Sequence, residues 1–241
     1  MRQFLMLCIC FLIFQTVGYA APPKDRFYYE KRGEVVWEVS TDEKVIALTF
    51  DDGPHPRYTP QILDLLKQYH ANATFFVVGK KIKLYPDVLK RELNEGHEIA
   101  NHTYSHAFLT KGTNMKYEIN KTEQTIFSVA GIRSQLFRPP GGFYNEDLVR
   151  LVKQEGYKMI MWSWHLDTRD WSLPGVARIV NKVLKNASSG DIVLFHDYVE
   201  GGTQTVEALK RILPELEKQG YRFVTVSELL TYRKSVPAKH P

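Results

Sequence analysis

The 241-residue chain is 44% hydrophobic and 24% charged, which is ordinary for a soluble protein and long enough for one large domain with a full core. Its net charge of +5 is mild and no run of Lys and Arg forms a basic stripe, so nucleic acid is excluded as a partner. Both cysteines, Cys8 and Cys10, lie in an N-terminal apolar run, leaving the remainder without disulfides, a cysteine nucleophile or a thiolate metal site.

Residues 1–20 read as an export signal: Arg2 gives positive charge, Phe4 to Phe14 is apolar, and Gly18 and Ala20 are small residues at a cleavage-like spacing. The expectation is a secreted or cell-wall-associated protein, with an uncleaved membrane anchor as the alternative; neither cysteine is placed for lipid attachment. Residues 21–43 read as a linker and a lead-in strand around Val35-Val36-Trp37. From 44 to 230 short β-branched or aromatic runs at 44–50, 73–78, 98–101, 135–138, 158–163, 191–195 and 222–226 alternate with helical patterns at 60–70, 86–95, 114–130, 145–155, 174–186 and 203–219. Asn145 and Leu173-Pro174 are helix starts, and Gly96, Gly131, Gly156 and Gly220 are stops. This alternation is the pattern of an α/β protein with about seven parallel strands, closed as a barrel or open. Residues 231–241 read as a frayed tail.

Five polar clusters fall at the carboxyl ends of predicted strands: DDGPH after the first, NHTYSH after the third, RPPGG after the fourth, DTRDW after the fifth and HD after the sixth. Barrel enzymes build their sites on that face, so the clusters are expected to converge.

Asp51 and Asp52 are adjacent like charges before a Gly53-Pro54 turn, an arrangement that calls for a cation beside them. His102 and His106, spaced H-x-x-x-H, can share a metal from one side of a helical turn or tight loop. Taken alone such a pair is commonly a surface or capping feature. With Asp52 it makes two imidazoles and one carboxylate, three ligands that leave positions open, a set that also suits a ferrous oxygenase. Asp51 is then the general base for water activated beside the metal. Arg138, fixed in direction by Pro139-Pro140, is placed to pair with Asp51. His196 closes an apolar strand and would act as an acid, oriented by Asp167 or Asp170. Of Trp162, Trp164 and Trp171, only Trp171 is assigned to a sugar-stacking groove and the others to the core.

The motifs TFDD (49–52), HTYSH (102–106), RPP (138–140), DTRDW (167–171) and LFH (194–196), in this order, closely resemble those of the polysaccharide deacetylases with a NodB-type homology domain, carbohydrate esterase family 4. The resemblance covers roughly 44–230. It implies a distorted (β/α) barrel and one divalent metal ion, usually Zn2+ with Co2+ or Ni2+ as alternatives, on Asp52, His102 and His106. It also implies Asp51 as base, His196 as acid, Arg138 orienting Asp51, Asp167 orienting His196, and Leu194 shaping the pocket for the acetyl methyl. Many members carry an aromatic residue after RPP where this chain has Gly141; a backbone N–H for the oxyanion survives that change and a side-chain wall does not.

The implied reaction is hydrolysis of the N-acetyl group of N-acetylglucosamine residues, giving acetate and a free amine. Export, absence of mature cysteines and mild basic charge fit a bacterial enzyme acting as a monomer on cell-wall peptidoglycan, with chitin oligomers as the alternative substrate. A non-catalytic carbohydrate-binding wall protein is the rival from another class, and the intact Asp51 and ligand set argue against it. A ferrous oxygenase is disfavoured by the strand–helix alternation, because that chemistry usually sits in a jelly roll.

Overall fold

The computed structural model describes residues 25–108, 110 and 112–234; the expected export signal at 1–20 and the tail from 235 onward lie outside them. Eight strands form one sheet: β1 (Val35–Val36), β2 (Val45–Asp51), β3 (Ala73–Val77), β4 (Glu98–Asn101), β5 (Leu136–Phe137), β6 (Lys158–Ile160), β7 (Ile192–His196) and β8 (Arg222–Phe223). Their order is β1-β6-β5-β4-β3-β2-β7, with β8 paired to the start of β2, and every ladder is parallel. The described helices are α1 (Arg26–Lys31), α2 (Tyr58–Gln68), α3 (Gly79–Leu84), α4 (Pro86–Asn94), α5 (Met115–Ala130), α6 (Glu146–Gln154), α7 (Val176–Leu184), α8 (Thr205–Lys218) and α9 (Val226–Thr231). Asn145 caps α6 by accepting a hydrogen bond from the Leu148 N–H, and Gly131 ends α5 in the left-handed region, as those residue types favour.

The gap between the sheet's two edges is bridged without a regular ladder. Ser163 N–H donates to Ile192 C=O (2.9 Å), Ser163 Oγ accepts from Ile192 N–H (3.0 Å), and Val39 N–H donates to Gly190 C=O (2.9 Å). The result is a distorted (β/α) barrel. The segment expected as a linker and lead-in strand contributes α1 and the edge strand β1.

Side-chain parity within the strands decides what reaches the site. In β2, Ile46, Leu48 and Phe50 pack outward beneath helices, in one apolar cluster with Leu63, Leu66, Leu209 and Ile212. Val45 and Ala47 point inward and meet Phe76, Ala100, Leu136, Ile160 and Ile192. Because successive residues alternate faces, the inner row of each strand continues upward to Asp51, His102, Arg138, Trp162 and His196. The parallel sheet aligns all five carboxyl ends, so these residues form the polar top layer of one apolar barrel interior.

Candidate active site

Asp51 is 3% exposed at the end of β2, and Arg138, fully buried, meets it through Nη1–Oδ1 at 2.6 Å. The guanidinium also donates to Thr49 Oγ1 (2.9 Å), Ile160 C=O (3.2 Å) and Met161 C=O (2.8 Å), and lies 3.9 Å from the centroid of the Phe76 ring. Burial pulls the Arg138 pKa downward, opposed by Asp51. Four hydrogen bonds and an aromatic face leave the cation no freedom to rotate, so the Asp51 carboxylate is held in one direction.

Asp52 follows in the left-handed region (φ 78°), a conformation that an aspartate tolerates better than most residues and that turns its side chain toward the two histidines. His102 Nε2 lies 3.5 Å and His106 Nε2 3.0 Å from Asp52 Oδ1, and the three ligand atoms fall within 4.8 Å of one another. His102 Nδ1 lies 2.8 Å from the Arg138 carbonyl oxygen. A carbonyl only accepts, so Nδ1 carries the proton and Nε2 keeps its lone pair for the shared point. Asp52 Oδ1 is buried and makes no well-aligned hydrogen bond. Burial opposes its charge, but His106, His102 and His196 hold its carboxyl well below the usual range. A buried ionised oxygen without a hydrogen bond, facing two imidazoles, fits a divalent cation.

The H-x-x-x-H pair sits on a loop and not on a helix. Thr103 (φ 67°) and His106 (φ 57°) are both left-handed, and the Glu118 carboxylate of α5 fixes the bend by accepting from Tyr104 N–H (3.0 Å), Ser105 N–H (2.8 Å) and Ser105 Oγ (3.0 Å). No local signal marks Glu118, which makes this loop rigid from twelve positions beyond His106.

His196 is in register with Asp51, one strand away on β7. Asp170, not Asp167, orients it: Asp170 Oδ1 lies 2.7 Å from His196 Nδ1 and Oδ2 accepts from the His196 N–H at 2.8 Å. Thr205 Oγ1 also donates to Asp170 Oδ2 (2.6 Å). Asp167 instead accepts from the Arg169 N–H (3.0 Å) in a partly exposed turn, and Arg169 at φ 52° reverses the chain so that Asp170 enters the interior. The expected role of Asp167 is thereby corrected. Burial disfavours a charged His196, yet the Asp170 carboxylate in contact, with Asp52 and Asp51 nearby, outweighs it and pushes the imidazole pKa up to about 9.

Leu194 is buried on the inner face of β7, and the Thr168 hydroxyl donates to its carbonyl (2.7 Å). Gly141 lies in a one-turn 3-10 helix, Pro140–Gly142, on the rim of a groove of about 910 Å³. Trp171 is 55% exposed but lies outside that groove's lining, whereas Trp164, expected in the core, is 78% exposed and lines it with Trp162. The tryptophan assignments are therefore reversed for Trp164: its side chain follows the inner Trp162 by two residues, but the chain has already left β6 for a 3-10 turn at Trp164–Leu166.

Two further groups brace the site. Lys81 Nζ donates to the Asp52 carbonyl (2.7 Å) while lying 3.4 Å from the Tyr198 ring centroid, and burial lowers its pKa. Asp197, fully buried beside Gly53, accepts from Thr59 Oγ1 at 2.5 Å, and burial pushes its carboxyl up to about 7. The HD dipeptide was a visible signal for Asp197; a lysine in GKKIKLYP carries none.

A family model for polysaccharide deacetylase matches residues 38–160. A peptidoglycan-N-acetylglucosamine deacetylase of Bacillus cereus is 53% identical over 85% of this chain and 96% of its own length. The peptidoglycan-N-acetylmuramic acid deacetylase PdaC of Bacillus subtilis is 40% identical over 83% of this chain, which spans 42% of that protein. Among solved structures, a peptidoglycan N-acetylglucosamine deacetylase in complex with 4-naphthalen-1-yl-N-oxidanyl-benzamide superposes with a TM-score of 0.80 at 34% identity, covering 88% of this chain and 100% of that one. With the five motifs gathered at one end of a distorted barrel, this chain belongs to the polysaccharide deacetylase family.

Proposed function

We propose that the protein is a metal-dependent hydrolase that removes N-acetyl groups from the N-acetylglucosamine residues of peptidoglycan, exported to the cell wall, with zinc as its metal. The observation that carries this reading is the division of labour around Asp52. An Arg138-held carboxylate, Asp51, stands next to Asp52 of a metal-competent triad and in strand register with an Asp170-held imidazole, His196. The 53% identity to the Bacillus cereus enzyme supports the choice of substrate.

A divalent ion on Asp52, His102 and His106 would supply Lewis acidity, favouring ionisation of water and charge on the amide oxygen. The protein's own groups do the rest. Asp51 accepts the proton of the attacking water as its oxygen bonds to the amide carbon, and the Gly141 N–H donates to the oxyanion. His196, charged at neutral pH, gives its Nε2 proton to the amine nitrogen as the C–N bond breaks, leaving acetate and glucosamine. Asp170 keeps the Nδ1 proton in place throughout.

Acetate release from purified peptidoglycan and from chitin oligomers, before and after chelation and with zinc restored, tests the proposal. Faster release from peptidoglycan, lost on chelation and recovered with zinc, is expected. Activity that survives complete metal removal, or preference for chitin, overturns it.

A further inference from the structure

The groove beside Gly141 is lined by two unlike sets of side chains. Tyr144, Trp162 and Trp164 supply aromatic surface, and Arg169, Arg178 and Lys182 supply charge. Arg178 and Lys182 stand four residues apart on α7, so both point the same way. Among the described residues neither makes an ion pair or a side-chain hydrogen bond. The remaining charged lining is already committed: Arg26 to Glu30 and Glu38, His165 to Asp191, and the carboxylate Asp167 to the turn at Arg169. What remains unneutralised is positive.

An exposed indole and two free cations in one groove form a surface for a sugar carrying negative charge: the ring's apolar C–H face lies on Trp164 while carboxylates reach α7. Since the same groove includes Gly141, its occupant is the part of the glycan next to the reacting N-acetyl group. A chitin oligomer is neutral and leaves the cations unused. In peptidoglycan every second sugar bears a lactyl ether extended by an acidic peptide.

We infer that Arg178 and Lys182 bind the carboxylates of the peptide stem on the sugar adjacent to the one deacetylated, and so select stem-bearing glycan over neutral N-acetylglucosamine oligomers. The inference rests on the proposed deacetylase function. Both side chains are at the surface or half-buried, so replacing them leaves the core intact.

The test compares the wild type with a double variant, Arg178→Gln/Lys182→Gln, on three substrates: stem-bearing glycan strands, strands stripped of peptide by an amidase so that only the lactyl carboxylate remains, and neutral N-acetylglucosamine oligomers. The ratio of kcat/KM for stem-bearing strands to that for neutral oligomers should fall about tenfold in the variant, mainly through KM. The salt dependence seen with stem-bearing strands should flatten. An unchanged ratio overturns the inference. A larger fall on stripped than on stem-bearing strands also overturns it, by assigning the cations to the lactyl carboxylate. Binding of stem-bearing strands, measured by calorimetry in an Asp51→Asn background, separates the two claims. Weaker binding in the variant supports the groove even if the wild type releases no acetate from any substrate, a result that would remove the function while leaving the site. Equal binding overturns the groove while leaving the function standing.

Discussion

Asp170 grips His196 at two points, Oδ1 on the ring nitrogen Nδ1 at 2.7 Å and Oδ2 on the backbone N–H at 2.8 Å. One carboxylate therefore fixes the ring's position, its tautomer and its charge together. The folded pKa of about 9 lies above the ordinary histidine value of ~6.5. The stabilisation from this pair is thus fully present below about 6.5 and is lost as pH rises through about 9. A cation held by Asp52 offsets that carboxylate's share, but the direct Asp170 contact stays. The alkaline limb of kcat/KM should lie above 6.5 in the wild type and move to lower pH in Asp170→Asn, with metal content unchanged. Asp167→Asn should leave the limb in place. A limb that moves with Asp167 and not with Asp170 would reassign the partner.

The inner row of the barrel was legible because period-two alternation and motif order are local properties: Asp51 and His196 each end a recognisable apolar run, and His102 stands in the NHTYSH motif after the third strand. The choice between Asp167 and Asp170 was not, because DTRDW offers two carboxylates three residues apart. The left-handed Arg169 that decides between them is held by anchors on either side that are remote in sequence: the Thr168 hydroxyl donates to the Leu194 carbonyl and Asp170 accepts from the Thr205 hydroxyl. Helices α1, α3 and α9 escaped because six residues make fewer than two turns, too few to show a 3.6-residue period. Glu118 and Lys81 act on loops remote in sequence, and nothing in their own neighbourhood marks them.

The adjacent carboxylates should separate cleanly by substitution. Asp51→Asn retains the size of the side chain and its contact with Arg138 but cannot accept a proton. Turnover should drop by roughly 100-fold or more with metal still bound, as read by kinetics and elemental analysis on the same sample. Loss of metal with normal turnover per bound ion would make Asp51 a ligand instead.

Removing a triad member should do the reverse. His102→Ala deletes a lone pair that the Arg138 carbonyl has aimed at Asp52, so bound zinc per chain, measured by elemental analysis after dialysis, should fall together with activity. Full metal content in that variant would place the ion elsewhere.

Arg138 is fully buried in an ion pair, so its loss should also be felt in stability. Replacing it by Gln leaves the Asp51 carboxylate buried without its ion pair, a change that typically costs ~3–5 kcal/mol. Denaturant unfolding should show a loss of that order for Arg138→Gln and much less for the double change Arg138→Gln/Asp51→Asn, because the second substitution removes the stranded charge. Equal losses in both variants would show that the guanidinium stabilises through its carbonyl contacts to Ile160 and Met161 instead.

Gly141 stands where the resemblance implies an aromatic residue in many members, and its surroundings explain why introducing one should fail. Its φ is +65°, and a Cβ there would come within 2.8 Å of the Phe143 ring and 2.9 Å of the Phe108 ring. Those two rings, 6.2 Å apart between centroids, already stand where a side chain from position 141 would begin, and both are partly exposed to solvent. The aromatic surface beside Gly141 is thus built from Phe108 and Phe143. Gly141→Tyr would place a side chain in the left-handed region, at a cost of ~1–2 kcal/mol, and displace both rings. Its kcat/KM should drop by about tenfold or more as the 141 N–H loses its direction. Phe143→Ala should instead raise KM while kcat changes little, the behaviour of a wall that binds without contacting the reacting atoms. Wild-type kinetics in Gly141→Tyr would show that the loop relaxes freely and that the glycine is not required for this wall.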